Sequence, residues 1–258
     1  MSMTPWEMVA VFAAGVGAGG INSVVGSGTL ITFPVLLATG LPPVTATVSN
    51  ALGLIPGSIS GAIGYRKELV GQGRRVLKLS AGALVGGLGG ATLLLTLPST
   101  AFERIVPTLV GLALVLVVLQ PLISKKVRAR RESRPQGSAR RDVGPLLLLG
   151  LTLASVYGGY FAAAQGIIYM SIMGMLLDEP MQRLNGIKNV LAAVVNSVAA
   201  LFFLFAAHFD WTAVLLIAVG SALGGMTGAA VGRRFSPTAL RALIVTVGTA
   251  AIVQLVLR

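Results

Sequence analysis

The chain has no cysteine, one histidine and only eight carboxylates in 258 residues. Without cysteine there are no disulfides, thiolate metal sites or cysteine nucleophiles. His208 stands alone at a predicted loop, which argues against a metallohydrolase and leaves no metal or cofactor expected. The carboxylates Glu7, Glu68, Glu103, Glu132, Asp142, Asp178, Glu179 and Asp210 all fall at block ends or in loops. None is predicted near mid-membrane, so carboxylate proton relays and carboxylate sodium cages lack support. The apolar chain offers no acid–base pair either, and an enzyme is not expected. No Lys or Arg precedes Arg66, so the basic start of a cleavable signal is missing.

What is present is apolar. Hydrophobic residues make up 55% and charged residues 11%. Runs of spanning length fall at about 6–39, 44–65, 76–97, 102–123, 144–177, 184–207, 211–232 and 237–257. The expected fold class is an all-α polytopic membrane protein. The net charge of +12 invites a nucleic-acid reading. Half of it, however, lies in the segment 124–142, which lacks interleaved aromatics. That segment reads as a cytoplasmic linker and a candidate for anionic-lipid contact, not as a nucleic-acid platform. The expected organisation is a first transmembrane repeat at 1–123, the basic linker at 124–142 and a second repeat at 143–258. Nothing in the sequence indicates an oligomeric state.

The chain repeats one unusual pattern 139 residues apart. Gly19-Gly20, then Gly26-Ser27-Gly28, then Asn50 recur as Gly158-Gly159, Gln165-Gly166 and Asn189. A duplicated, glycine-broken apolar segment points to a transporter's substrate site; ordinary helix-packing glycines are the alternative. Blocks 6–39 and 144–177 exceed the roughly 20 residues of one straight span. If 144–177 is a hairpin that returns to its own side, then 66–78, 124–142 and Arg233, Arg234 and Arg241 all lie inside. Each half is then a hairpin plus three spans. Three is odd, so the second half is inverted and both termini face outward.

The intramembrane polar set is amide, hydroxyl and one cation. Asn185, Lys188 and Asn189 are spaced i, i+3, i+4, with Asn196 seven beyond Asn189, and so share a helix face. Burying them is costly unless they face polar partners. Lys188 is read as a cationic site residue or as a side chain snorkelling to the headgroups. The asparagines are read as ligands or as interhelical glue. The first half offers Asn22, Ser23, Ser27, Thr29, Thr45, Ser49 and Asn50, with Pro56 as a predicted kink. The second break offers Tyr157, Tyr160, Gln165 and Tyr169, though tyrosines also serve as interfacial anchors. Half-helix starts after each break aim N–H groups and positive dipole ends inward. With Lys188 they suit a small oxyanion. The candidate substrate-binding set is Lys188, Asn189, Asn185, Asn50, Ser49, Ser27, Gln165, Asn22, Asn196 and Tyr160.

At these residues the chain resembles the TauE/SafE sulfite exporter family. Gly17-Ala18-Gly19-Gly20 through Phe33-Pro34 and Thr45-Ala46-Thr47-Val48-Ser49-Asn50 look like its first repeat. Asn185-Gly186-Ile187-Lys188-Asn189 with Asn196 is similar to its second. The resemblance implies transport of sulfite, a sulfonate or a sulfoacetate-like anion across the inner membrane, with export as the expected direction. Another small organic anion, or a non-transporting accessory role, stays open.

The topology is tested by impermeant labelling of single cysteines, clean in a cysteine-free chain. A cysteine at Asp210 is expected to label from outside and one at Lys67 to be protected. Protection at Asp210 reverses the second half and removes the hairpin.

Overall fold

The computed structural model describes residues 3–132, 143–231 and 237–256. Arg134, Arg140, Arg141, Asp142, Arg233 and Arg234 lie outside the described residues, as do the side chains of Arg128, Arg130 and Arg131, and the linker's expected lipid contact falls mostly on these. The helices run in the order α1 (Pro5–Val24), α2 (Thr29–Ala38), α3 (Pro43–Gly53), α4 (Ile55–Gly64), α5 (Gly73–Thr96) and α6 (Ser99–Glu132), then α7 (Pro145–Tyr160), α8 (Gln165–Leu176), α9 (Met181–Phe203), α10 (Trp211–Val231) and α11 (Pro237–Val256). The described residues contain no strand. α1, α5, α6, α9 and α10 are long and apolar enough to cross a membrane. The protein is an all-helical polytopic membrane protein.

Both over-long blocks break into two helices. α2 has 10 residues, a rise of about 15 Å, half a hydrocarbon core of roughly 30 Å. α8, with 12 residues, is similar. Gly150 of α7 faces Ile172 of α8, and Gly158 faces Gln165, so the two helices run antiparallel. The mouth of this hairpin lies where Leu147 and Leu177 pack with Leu79 and Leu184. In the first hairpin Gly28 packs on the Ala18 carbonyl. Its mouth lies at the other end, where Thr4, Glu7, Thr39 and Pro42 surround one cavity with Asp210. Block 44–65 is interrupted at Leu54, between α3 and α4, two residues before Pro56. Proline lacks the N–H and crowds the carbonyl four residues back, so the interruption falls where the kink was expected.

Helix pairs are zipped by small residues. Along α1 and α10, Gly15 meets Ile217, Gly19 meets Ser221, Gly20 meets Gly224 and Ser23 meets Gly228. Along α5 and α7, Gly82 meets Thr152, Gly86 meets Ser155 and Gly90 meets Val156. A Cβ at Gly19 or Gly90 would overlap the facing backbone carbonyl. In lipid, where the hydrophobic effect does not drive helices together, such close backbone approach supplies the packing. Each pair joins a hairpin arm of one half to a full span of the other, and so ties the two halves together.

The end of the molecule at the second hairpin's mouth carries a charge cluster. Glu179, buried between α8 and α9, accepts from Arg75 at 2.5 Å and from Arg183 at 2.5 Å. Arg183 also donates to the Glu68 carbonyl. This locks the α4–α5 loop to the start of α9. Burial raises the Glu179 carboxyl, but the hydrogen bonds and charges of Arg75 and Arg183 outweigh it and hold the group below its ordinary value. A depressed carboxyl stabilises the fold above its unfolded pKa, about 4.3, and loses that contribution as pH falls through the folded value. Glu179→Gln is therefore expected to melt below the parent in detergent at pH 7. The gap should narrow as pH drops below about 4. A gap that stays constant with pH would mean that the carboxylate's charge contributes nothing.

Candidate functional site

The two breaks meet back to back. The Gly166 N–H, at the start of α8, donates to the Gly26 carbonyl at 3.0 Å. Gly26 has φ +84°, a left-handed conformation that favours glycine. A Cβ on either residue would overlap the other's backbone. Glycine at these two places is thus required by close approach, and at Gly26 by dihedral as well.

Ending α1 at a buried break leaves its last carbonyls without helical partners. α9 supplies them. Lys188 Nζ donates to the Asn22 carbonyl at 2.8 Å and to the Ser23 carbonyl at 3.1 Å. Asn189 Nδ2 donates to the same Ser23 carbonyl at 3.3 Å. Lys188 is 1% exposed, so it does not snorkel; its stem passes Gly166. A cation at a helix C-terminus also sits at the negative end of the helix dipole. An ammonium has three donors, and two are spent on carbonyls. Among the described residues its partners are neutral carbonyls, not a carboxylate.

α3 holds the far side of the same break. Thr32 Oγ1 donates to Asn50 Oδ1 at 2.5 Å, and Asn50 Nδ2 donates to Thr29 Oγ1 at 3.2 Å, both at the start of α2. Between these two anchorages lies Ser27, buried, its hydroxyl without a partner among the described residues. Asn189 Oδ1 is likewise buried and unpartnered. The first break is therefore gripped by two crossing helices and lined by a cation, an unpaired amide oxygen and an unpaired hydroxyl.

The second break holds itself. Tyr157 Oη donates to the Ala163 carbonyl at 2.7 Å. Gln165 Nε2 donates to Tyr169 Oη at 2.6 Å, and that hydroxyl also meets Ser155 Oγ at 2.6 Å. Tyr157 and Tyr169 are internal struts, not interfacial anchors. Ala162 and Ala164 take φ +65° and +57°, a conformation costing an alanine about 1–2 kcal/mol each.

Of the ten candidates, Lys188, Asn189, Asn22 and Ser27 belong to the first break, and Asn50 sits across it. Asn22 contributes its carbonyl, while its amide donates to Ser58 at 3.4 Å. Asn185 lies one turn before Lys188 in a separate cavity. Asn196 is buried further along α9. The remaining three point elsewhere. Ser49 accepts from the Asp210 N–H at 3.0 Å, at the start of α10. Gln165 is tied to Tyr169. The Tyr160 ring meets Phe102 edge-on, with its hydroxyl buried and unpartnered. The free donors expected at the half-helix starts are largely closed: Leu30 N–H bonds Ser27, Ile31 N–H bonds Gly28 and Gly166 N–H bonds Gly26. Lys188, not a helix start, is the main donor at the break. Thr32, Ser155, Ser221 and Gln120 are not singled out by the sequence. For Ser221, which donates to the Gly53 carbonyl at 2.8 Å, the signal was the four-residue spacing of Gly220, Gly224 and Gly228 around it.

Comparison with known proteins agrees with this architecture. The family model for the sulfite exporter TauE/SafE matches residues 11–255. A probable membrane transporter protein, YfcA, of Escherichia coli K12 is 26% identical over 227 residues, 88% of this chain and 81% of its own length. A probable membrane transporter protein of Haemophilus influenzae is 24% identical over 238 residues, 91% of this chain and 89% of its own. One from a Sinorhizobium species, named ORF9, is 25% identical over 247 residues, covering 95% and 90%. No solved structure matches. The chain belongs to the TauE/SafE sulfite exporter family of membrane transporters.

Proposed function

We propose that this family member exports a small sulfur-containing oxyanion, such as sulfite or a sulfonate, bound at the first break beside Lys188. One observation carries the reading: a fully buried ammonium that bonds only neutral carbonyls among the described residues and keeps a donor to spare. A buried cation with no carboxylate is costly, and an anionic substrate is the partner that would offset the cost. Ser27 and Asn189 supply further hydrogen-bonding groups. The positive-inside rule assigns the end bearing Arg66, Lys67, Arg74, Arg75 and Arg183 to the cytoplasm. The two hairpins, opening at opposite ends, are then inverted repeats around the Gly26–Gly166 contact, a frame that suits alternating access. A potential negative inside favours anion efflux by about 2.3 kcal/mol per charge per 100 mV, so no coupling carboxylate is needed.

The test is flux of sulfite, sulfate, thiosulfate, sulfoacetate and taurine in proteoliposomes of matched protein content. The parent is expected to carry at least one sulfur oxyanion. Lys188→Met keeps the apolar stem, deletes the charge and should weaken binding by roughly 1.5–3 kcal/mol. Lys188→Arg should recover only part, because the planar fork presents its donors differently. Lys67→Met, at an exposed loop, is the control. Arg183→Met is unsuitable for that purpose because Arg183 bonds Glu179 and the Glu68 carbonyl. Normal flux by Lys188→Met would remove Lys188 from the site.

A further inference from the structure

One turn of α9 before Lys188 lies a cavity of about 70 Å³. Its lining includes Val25 at the tip of α1, Gln120 on α6, Ile167 and Ser171 on α8, and Met181 and Asn185 on α9. α6 comes from the first half and α8 and α9 from the second, so this cavity, like the Lys188 site, lies between the halves. Met181 stands two residues past Glu179, which puts the cavity on the side of the Arg75–Glu179–Arg183 cluster. Val25 is two residues past the Ser23 carbonyl that Lys188 holds, which puts its inner wall at the break.

Two of its walls carry orphaned polar atoms. Gln120 Oε1 and Asn185 Oδ1 are both buried and have no hydrogen-bond partner among the described residues. Buried polar groups are nearly always partnered, and each exception calls for an explanation. Both residues line one cavity, and the two oxygens are shielded from water within its wall. An amide offers donors on one side and an acceptor on the other, so it can meet either the oxygens or the proton of a singly protonated oxyanion. The volume is well above the roughly 10–15 Å³ that one water needs. That admits a small ion that has shed most of its shell.

We propose that this cavity is an outer station on the substrate's path. A small oxyanion coming from the basic end exchanges water for the amides of Gln120 and Asn185 there before it reaches Lys188. The station rests on the anion-transport reading above and makes Gln120, on an element outside the candidate set, a specificity-determining residue. Its chemistry differs from the inner site: neutral amides and a thioether, with no charge, select for size and hydrogen bonding without trapping the ion.

The test is sulfite uptake kinetics in proteoliposomes, with sulfite offered to the basic face. Gln120→Leu and Asn185→Leu remove the amides and are expected to raise KM about tenfold, the loss of one hydrogen bond to an ion, with maximal rate within about twofold of the parent. Ser171→Phe fills the cavity from α8 and is expected to abolish uptake from that face. It serves as the independent check where a leucine variant does not fold. Parent KM in the leucine variants, or parent uptake in a folded Ser171→Phe, overturns the station while leaving the Lys188 site standing. If the parent carries another of the five anions and not sulfite, the same kinetics are read with that anion; a parent that carries none of them counts against the transport reading itself and takes the station with it.

Discussion

A helix that ends in the buried interior of a protein leaves backbone carbonyls and N–H groups where no water reaches them, and each must find a partner in the protein. The core of this molecule is organised around that constraint. α1 stops at Val24, and Lys188 and Asn189 bond its final carbonyls. α2 restarts at Thr29, and Asn50 bonds its first hydroxyls. α8 restarts at Gln165, and the backbone of Gly26 receives its second N–H. The breaks can touch only because both contacting residues lack a Cβ. The zipped pairs α1–α10 and α5–α7 then hold the broken helices in place from both halves.

The partners that satisfy the first break also shape its chemistry. A neutral donor would have capped α1 without electrostatic consequence. A lysine caps it and places a group that is cationic when protonated in a buried, carboxylate-poor place. The second break uses tyrosine, glutamine and serine, closes on itself and keeps no charge. The two halves thus share a helix order and differ in what fills the break, and on the proposed anion-transport reading that asymmetry favours the first break as the binding place. The cost of burying the ammonium is met in part by two carbonyls at the negative end of a helix dipole. The remainder is the attraction available to an anion.

Although α6 continues to Glu132, into the expected linker, the breaks and most element lengths were legible in the sequence because span length and glycine clustering are local properties. So was the hairpin character of 144–177, which followed from where the arginines had to lie. The shared face of Asn185, Lys188 and Asn189 was also correct, since helical period fixes it. What the period does not fix is which neighbour that face meets. Ser49 and Asn50 are adjacent, and their side chains leave α3 in directions that take one to α10 and the other to α2. Gln165 sits at the break by position, yet its amide turns back along its own helix to Tyr169. The glycines of the repeated pattern proved to do two jobs. Gly26 and Gly166 make the turn contact, while Gly19 packs on α10 and Gly159 on α5. A single sequence treats those jobs alike. Glu179 and Arg183 are four residues apart, but the Arg75 member of their cluster was hidden because it lies in a distant segment that only folding brings to Glu179.

An anion must meet the Lys188 ammonium at the first break for this mechanism to hold. The most direct measurement is a crystal structure of the protein soaked with a sulfur oxyanion, with the ion located by the anomalous scattering of its sulfur. The prediction is a peak beside Lys188, with the ion's oxygens within about 3 Å of Nζ, between the end of α1 and the start of α2. A sulfur peak elsewhere in the membrane interior, with Lys188 bonded only to the carbonyls of Asn22 and Ser23, would contradict it.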